Sequence, residues 1–300
     1  MQPYDFSCKH NIWIQDEHGS LQPMDEPYFR AELVAPQTWL VRSDGDFTYL
    51  VEGETEAIVI DSGYGCGNIR QFCQSLTEKP VSRILNTHEH FDHTANNGYF
   101  DCAYLSAAAL PNATRPFPSF DGIAFSRDYA TQVIGDGYVF DLGGRTLETF
   151  EIGDHTLGSL VFLDRKYGIL FSGDEFMIMG KSLNGSVARW ERLLSKLEPH
   201  RSEFNMLLAG GGKLDASLYD KQLAACRRIL AGEEGAPVEP FPPRRPGFLP
   251  DPEGLGRTVI PRYIPHPGDG PRPPADTSDL RSVTVDGYKL TYNLRKQKEN

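Results

Sequence analysis

The segment RILNTHEHFDHTANN, residues 83–97, concentrates side chains that bind transition metals. His88, His90, Asp92 and His93 lie close together in a chain that has eight histidines in total. Imidazole and carboxylate groups together suit zinc, and also iron or manganese. In an extended loop, residues two apart face the same side, so His88, His90 and Asp92 would converge, and a turn after Asp92 would bring His93 to the same cavity. The alternative is a polar surface loop that holds these histidines by coincidence.

Two later segments offer further ligands. GDHTLGS places His155 after a predicted strand, and ILFSGD places Asp174 at the end of a predicted buried strand. A buried carboxylate is costly without a partner, and a metal ion is the partner that we expect for Asp174. Taken alone, His155 is typical of a surface histidine and Asp174 of a residue that caps a turn. Asp61 ends the segment AIVID, and we expect it to orient a histidine ligand through the ring N–H.

The elements that must position these residues are strands and helices in alternation. TYLVE and AIVID are predicted strands, and VSRILNTH is a strand that runs into the histidine loop. Apolar residues at helical spacing predict helices over 68–76, 186–200 and 216–232, with Ser186 as an N-cap and Gly232 as a stop. YVFDLGGRTLETFEIG and SLVFLDRKYGILFSGD are predicted hairpins, and NMLLAGGG is a predicted buried strand that ends in glycines.

The bulk composition is that of a globular protein. Of 300 residues, 39% are hydrophobic and 24% charged, and the formal net charge of -11 disfavours binding to nucleic acid. No apolar run is long enough to span a bilayer, and the first residues lack the pattern of a signal peptide. The five cysteines are scattered without a CxxC spacing, which argues against a disulfide framework or a thiolate zinc site. We therefore expect a cytoplasmic protein that acts on a small molecule and contacts no membrane.

Proline density divides the chain after residue 232. We predict an N-terminal extension (1–45), which contains the probable hairpin IWIQDEHGSLQ, and a catalytic domain (46–232). The remaining residues (233–300) are predicted to form a proline-rich arm that ends in a hairpin around the Asp286-Gly287 turn. The two ends of the chain are candidates for packing against each other or for a homodimer contact.

Taken in order, AIVIDSGYG, THEHFDH, GDHTLGS and ILFSGD resemble the motifs of the metallo-β-lactamase fold hydrolases, which include glyoxalase II, lactonases and β-lactamases. The resemblance runs from about residue 46 to 232. It implies an α/β fold, an αββα four-layer sandwich with a metal site at one edge. It also implies the ligand sets: His88, His90 and His155 for a first metal, Asp92 and His93 for a second, and Asp174 bridging both.

One motif departs from that family. Its members usually carry a last histidine in a segment resembling PGHG, whereas this chain has LAGGGKLD, with Gly211 at the corresponding position. Water or substrate could fill the vacancy, or the second site could be weak and the enzyme mononuclear. As a third possibility, His266 of the proline-rich arm could replace the missing ligand. One or two zinc ions per chain are therefore expected, with iron or manganese as alternatives.

The expected activity is hydrolysis of an ester, thioester, lactone or amide bond by a metal-activated water, with Asp92 orienting that water and accepting its proton. Phe176, Met177 and Met179 are candidates for lining the substrate pocket, and core packing is their alternative role. Lys181 is a candidate for meeting a substrate carboxylate, unless it is an ordinary solvated lysine.

Two other functions remain open from the sequence. One is a mononuclear iron dioxygenase of the same fold, in which His88, His155 and Asp174 form a two-histidine, one-carboxylate triad. The other is a binding protein with a degenerate site, which the glycine at position 211 favours and the six retained ligands disfavour. The metal content separates the three: zinc or manganese with hydrolysis, iron with oxygen uptake, or no metal and no turnover.

Overall fold

The structure, a computed structural model, describes residues 12–15, 20–23, 29–42, 47–63, 67–115, 126–178, 180–239, 254, 258–261 and 276–297. The chain divides into two compact units, each assembled from separate stretches of sequence. Unit 1 takes its residues from Met1–Tyr104, Pro111–Gln132 and Pro243–Pro273, and unit 2 from Leu105–Leu110, Val133–Pro242 and Pro274–Asn300. The domain boundaries expected near residues 45 and 232 stay predictions.

In chain order the strands are β1 Ile12–Gln15, β2 Leu21–Pro23, β3 Arg30–Ala35, β4 Thr38–Arg42, β5 Phe47–Glu52, β6 Ala57–Ile60, β7 Val81–Leu85, β8 Cys102–Ser106, β9 Thr131–Ile134, β10 Val139–Asp141, β11 Thr146–Glu151, β12 Leu160–Asp164, β13 Ile169–Gly173, β14 Lys181–Ser182, β15 Met206–Ala209, β16 Gly212–Asp215, β17 Ala236–Pro237, β18 Thr258–Pro261, β19 Leu280–Val285 and β20 Tyr288–Asn293. The α-helices are α1 Ile69–Ser75, α2 Phe91–Thr94, α3 Leu110–Ala113, α4 Val187–Ser195 and α5 Ser217–Leu230, and 3₁₀ turns lie at Asn97–Tyr99, Glu198–Glu203 and Leu294–Lys296.

The sheet that dominates unit 1 keeps chain order from β3 to β9. Strands β3 to β6 pair antiparallel, whereas β6, β7 and β8 pair parallel. A parallel pair needs a crossover, and α1 supplies it between β6 and β7. Asn68 caps this helix by accepting a hydrogen bond from the amide of Gln71, and Ile69 and Cys73 are its buried residues. The carboxyl ends of β6 and β7 therefore lie side by side, which places Asp61 next to the start of the histidine segment.

A small sheet in unit 1 joins residues from both ends of the chain. Strands β1 and β2 pair antiparallel, which confirms the hairpin expected in the first 45 residues. Strand β18, from the proline-rich arm, pairs parallel with β1 and lies at the edge of the sheet order β18-β1-β2. An edge is where a strand ending in proline is tolerated, because the missing N–H faces away from the ladder.

The largest sheet of unit 2 has the order β10-β11-β12-β13-β15-β16. Both predicted hairpins are confirmed, as β10 with β11 and as β12 with β13. Gly143 and Gly144 adopt positive φ of 81° and 65°, which is the conformation that a Gly-Gly hairpin turn requires. The segment NMLLAGGG is confirmed as a buried strand that ends in glycines, and the strand after it was not predicted. It forms β15, turns at Gly210 and Gly211, and returns antiparallel as β16.

Two helices form the core of unit 2 with this sheet. Ser186 caps α4 as predicted, and α5 is followed by Gly232 at a positive φ of 102°. Trp190 of α4 is fully buried and donates its indole N–H to Gln222 of α5 at 2.9 Å. Helix α4 ends at Ser195, earlier than predicted, because Pro199 belongs to a separate 3₁₀ turn. No helix in the described part of the chain is both long and apolar enough to cross a membrane.

The C-terminal hairpin is part of unit 2. Strands β19 and β20 pair antiparallel around Asp286 and Gly287, which have φ of 46° and 79°, and this confirms the predicted turn. Strand β20 also pairs parallel with β14, in the sheet order β14-β20-β19-β17. Leu290 is fully buried and belongs to the same apolar cluster as Trp190. The hairpin therefore supplies core side chains to the unit that holds two of the predicted metal ligands.

We expect Leu290→Ala to lower the free energy of unfolding by about 2–5 kcal/mol, because it leaves a cavity in the core of unit 2. The matched control is Lys289→Ala, at an exposed neighbouring position of the same strand, with an expected change within about 0.5 kcal/mol. Urea denaturation measures both. Equal, small changes would contradict the placement of β20 in the core.

Candidate metal centre

The histidine segment follows β7 and turns into a short helix. His90 precedes α2 with extended φ and ψ of -61° and 152°, and Asp92 and His93 lie within α2. The hydroxyl of Thr94 donates to the carbonyl of His90 at 3.0 Å and helps to fix this turn. The prediction that Asp92 continues an extended alternation after His88 and His90 is therefore wrong. The chain turns before Asp92 rather than after it.

His88 and His90 present two ring nitrogens to one point. His88 Nε2 lies 3.1 Å from His90 Nδ1, and the other ring nitrogen of His88 lies 3.1 Å from the hydroxyl oxygen of Thr87. Two ligands of one tetrahedral zinc ion, with Zn–N bonds of about 2.0–2.1 Å, stand about 3.3 Å apart. The observed separation fits a shared ion, and both residues belong to donor groups that could hold a metal.

Asp61 fixes the ring of His93. Its Oδ2 lies 2.9 Å from His93 Nδ1, and its two oxygens accept hydrogen bonds from the amide and the hydroxyl of Thr87 at 2.8 and 2.7 Å. This contact is compatible with the prediction that Asp61 orients a histidine ligand through its ring N–H. With the Nδ1 proton donated to Asp61, the lone pair of His93 is on Nε2, the atom that is then able to bind a metal. Asp61 holds a left-handed φ of 59° to make these contacts.

The backbone of His93 is held as firmly as its ring. Its carbonyl oxygen accepts hydrogen bonds from the amide of Ser62 at 2.9 Å, the hydroxyl of Ser62 at 3.2 Å and the side-chain amide of Asn86 at 2.9 Å. Asp92 Oδ2 lies 4.0 Å from His93 Nε2. Ser62 and Asn86 were not predicted. Their positions, directly after Asp61 and directly before Thr87, are the only sequence signal that could have found them.

In unit 2, His155 and Asp174 lie together. His155 Nε2 is 3.7 Å from Asp174 Oδ2, and both side chains keep some exposure, 27% and 12%. Asp174 follows β13 directly, and His155 follows β11 by a short turn. A nitrogen and an oxygen at this distance fit adjacent positions around one zinc ion. Accordingly, the sequence prediction that these two residues act as ligands is compatible with the geometry of this unit.

Glu175 holds the backbone beside both of these residues. It directly follows Asp174, and its Oε1 accepts hydrogen bonds from the amides of Asp154 and His155, each at 2.8 Å. Its other oxygen accepts from Lys181 Nζ at 2.5 Å, and the same ammonium lies 3.2 Å from Asp154 Oδ2. Glu175 and Asp154 were not predicted as site residues. The signal for both is an acid adjacent in sequence to a proposed ligand.

Lys181 therefore has neither of the roles considered for it from the sequence. It is buried, with 5% exposure, and it lies 4.5 Å from the ring centre of Trp190. Burial lowers the pKa of Lys181, but the carboxylates of Glu175 and Asp154 outweigh this and raise the pKa above its ordinary value. Lys181 is thus a charged residue buried inside unit 2, and its ammonium is paired with two protein carboxylates.

The three residues proposed for the substrate pocket differ in their exposure, and the structure describes two of them. Phe176 is fully buried in the core of unit 2, with ring centres 6.3 Å from Trp190 and 6.5 Å from Tyr219, so its prediction as a pocket residue is wrong. Its side chain points into the space between β13 and the two helices, which sequence periodicity does not reveal. Met177 is 42% exposed and remains available to a substrate. Met179, and the proposed substitute ligand His266, lie outside the described residues.

Gly211, at the position that the resemblance assigns to the family's last histidine, has room for a side chain. It is exposed in the turn between β15 and β16, and a Cβ built there would meet no atom within 4 Å. Its φ lies outside the left-handed region, so a side chain causes no backbone strain. The amide of Gly210 donates to the carbonyl of Gly173 at 3.0 Å, which ties this turn to the residue before Asp174. A histidine side chain at position 211 would therefore meet no steric clash at its Cβ.

The chain belongs to the metallo-β-lactamase superfamily, whose sequence profile matches residues 44–229. This confirms the family and the α/β fold expected from the motifs. A solved structure, the metallo-β-lactamase SMB-1 bound to 2-mercaptoethanesulfonate, aligns over 67% of this chain and 94% of its own with a TM-score of 0.51 and 15% identity. That likeness shows the shared fold.

Among curated proteins, the chain is similar to thioesterases. The atrochrysone carboxyl ACP thioesterase of Aspergillus fumigatus is 27% identical over 161 residues, which cover 51% of this chain and 47% of that protein. An acyl-coenzyme A thioesterase of Bos taurus is 27% identical over 157 residues, which cover 42% of this chain and 56% of that protein. The chain thus spans about half the length of the curated relatives it matches. Superfamily membership and the histidine and aspartate donors imply a bound metal ion.

We expect Gly211→His to fold normally and to raise the metal content toward about two ions per chain, because it restores an imidazole beside the strand end that carries Asp174. Elemental analysis of protein purified without added metal measures the ratio. Lys213→His, which adds an imidazole at an exposed position of β16, is the control and should match the wild type. A Gly211→His protein with unchanged metal content would show that the glycine does not limit the second site.

Proposed function

We propose that the protein is a zinc-dependent hydrolase that cleaves the thioester bond of a small acyl substrate. The observation that carries this proposal is the pair of preformed donor sets, His88 with His90 and His155 with Asp174, each at the separation of two ligands on one ion. The chain's similarity to an ACP thioesterase and an acyl-coenzyme A thioesterase supports a thioester as the bond that is cleaved.

The ligand assignment follows the family resemblance. By that resemblance, His88, His90 and His155 would hold a first zinc ion. Asp92 and His93 would hold a second, with Asp174 bridging both. The hydrogen bond from His93 Nδ1 to Asp61 supports this assignment, because a histidine ligand usually donates its other ring N–H to a carboxylate. The absence of a side chain at Gly211 makes the second ion the weaker of the two.

Zinc, when bound, supplies a water molecule whose pKa is lowered to about 7, so that a nucleophile is available at neutral pH. The remaining steps belong to the chain's own groups. Asp92, with one carboxylate oxygen 4.0 Å from His93 Nε2, is the base that would orient this water and accept its proton. Asp61 keeps the His93 ring in one orientation throughout, because its own oxygens are held by Thr87.

The leaving group distinguishes a thioester from an amide at this site. Hydrolysis forms a C–O bond to the acyl carbon and breaks its C–S bond, and the sulfur leaves as a thiolate. A thiol has a pKa of about 8.5, so the thiolate leaves without a proton from the protein. An amine leaving group would need a general acid, and neither the sequence nor the two donor sets identify one. Thioester cleavage therefore needs no general acid from the protein, whereas amide cleavage does.

Exposed apolar side chains next to the proposed ligands support an acyl substrate. Leu157, two residues after His155, is 78% exposed, and Met177 and Ile178, which follow Asp174 closely, are 42% and 72% exposed. Exposed apolar side chains mark a binding surface where they form a contiguous patch. A substrate with an apolar acyl portion would cover such residues.

We expect His88→Ala and Asp174→Ala each to lose bound metal and to lower thioester hydrolysis by at least about 100-fold, since each removes a ligand. Release of free thiol from a series of acyl-coenzyme A esters measures turnover, and elemental analysis measures zinc. His200→Ala is the control, because His200 pairs with Glu203 and packs against Phe150 but is not a proposed ligand, so zinc content and turnover should stay at the wild-type level.

Three results would contradict the proposal. Full activity in either ligand variant would reject the site. Iron in the purified protein, with oxygen uptake and no thioester hydrolysis, would favour the dioxygenase. A wild-type protein that holds no metal and turns over no substrate would favour a binding protein with a degenerate site.

A further inference from the structure

We propose that Lys181 is a positioning residue for the metal ligands of unit 2: through Glu175 and Asp154 it fixes the backbone that carries His155 and Asp174. The inference rests on the proposed function, because it assigns the purpose of a buried charge cluster to the same metal site. It concerns residues that contact no substrate and act only through the ligands.

Glu175 joins the two ligand segments. Because it is the residue after Asp174, its backbone is continuous with that ligand, and its Oε1 binds the amides of Asp154 and His155. Glu175 thus belongs to the Asp174 segment through its main chain and is hydrogen-bonded to the His155 segment through its side chain. Any shift of the Glu175 side chain changes the relative position of His155 and Asp174, which now stand 3.7 Å apart.

Asp154, the residue before His155, connects the same loop to the residues that follow β14. Its Oδ1 accepts from the amide of Gly185 at 2.9 Å, and its Oδ2 lies near both Lys181 Nζ and the amide of Asn184, at 3.2 and 3.3 Å. The side chain of Asn184 donates to the carbonyl of His155 at 2.9 Å. Asn184 and Gly185, which follow β14, therefore hold the His155 loop by hydrogen bonds. Lys181 is the residue of β14 that carries the charge.

The energetics of this cluster favour a role beyond stability. Burying three charged groups is expensive, and a buried ion pair is often no more stable than apolar side chains of similar size. Losing only the ammonium, however, would leave Glu175 and Asp154 as two adjacent buried carboxylates without their shared counter-charge. Glu175 is hydrogen-bonded to the His155 loop, and Asp154 is a residue of that loop whose carboxylate accepts from the amide of Gly185. Their repulsion would be relieved by moving that loop. Lys181 thus keeps two acids close enough to hold one ligand.

The C-terminal hairpin pairs with the strand that carries Lys181. Lys181 pairs with Leu290 of β20, and the amide of Leu183 donates to the carbonyl of Thr291 at 2.9 Å. Gln222 of α5 contacts both the carbonyl of Glu175, at 3.4 Å, and the hydroxyl of Tyr288, at 3.0 Å. These hairpin residues lie beyond residue 229, where the match to the superfamily ends. The hairpin therefore supports the position of Lys181 with contacts that the family motifs do not contain.

The experiment compares Lys181→Met with Arg145→Met in the chain of 300 residues. Arg145 and Asp164 form a second buried ion pair of unit 2, with both side chains fully buried. It lies at the start of β11 and the end of β12, the ends of these strands remote from His155 and Asp174. The zinc affinity of metal-stripped protein is measured by competition with a chromophoric chelator, and the melting temperature is measured without metal.

We expect both variants to melt at a lower temperature and only Lys181→Met to lose zinc affinity, by about 10–100-fold, as is typical when a group that supports a ligand is removed. Amide hydrogen exchange should also quicken at Asp154 and His155 in Lys181→Met and stay unchanged there in Arg145→Met. If zinc affinity in Lys181→Met equals that of the wild type, or falls equally in Arg145→Met, the cluster is only structural and the inference is wrong.

Glu175→Gln keeps the test decisive if Lys181→Met does not fold. This variant retains an oxygen for the two loop amides but removes the charge that binds Lys181, so zinc affinity should again fall while Arg145→Met stays at the wild-type value. The two proposals fail separately. A wild type that binds zinc without hydrolysing thioesters removes the proposed function alone, whereas unchanged zinc affinity in Lys181→Met and Glu175→Gln removes only the role of the cluster.

Discussion

The candidate metal site depends on buried carboxylates that hold other residues in place. In unit 1, Asp61 accepts hydrogen bonds from Thr87 and fixes the ring of His93. In unit 2, Glu175 accepts from two backbone amides of the His155 loop. In both cases an acid near the carboxyl end of one strand binds the segment that follows another. Hydrogen bonds to a charged acceptor are stronger than neutral ones, so a few of them suffice to order a loop that has little regular structure.

Asp61 and Glu175 each cost the fold free energy, but for different reasons. Asp61 adopts a left-handed φ, a conformation that costs a non-glycine residue free energy and persists only where the surroundings enforce it. Glu175 adopts no such φ but requires a buried ammonium, because a carboxylate that is 1% exposed needs a counter-charge as well as hydrogen bonds. Strain at one acid and buried charge at the other lie next to proposed ligands, which is where such costs are expected in a functional protein.

The sequence predicted those features that arise from local rules. Strand alternation, the Gly143-Gly144 and Asp286-Gly287 turns and the Ser186 cap each depend on a few neighbouring residues, and the structure confirms them. The order of the motifs identified the family. Two of the errors have nonlocal causes. Phe176 is buried because α4 and α5 cover it, and Lys181 is buried because β20 pairs with its strand, and neither fact is written in the residues nearby.

The position of Lys181 also bears on where the functional part of this chain ends. A boundary drawn at the end of the superfamily match would separate β14 from β20, its partner strand, and would remove Leu290 and Tyr292 from the core. The lysine would then lose the strand that shields it from water. Because the attraction between charges weakens as water approaches, the hold of Lys181 on Glu175 would weaken with it. The hairpin thus contributes to the geometry of a site with which it shares no ligand.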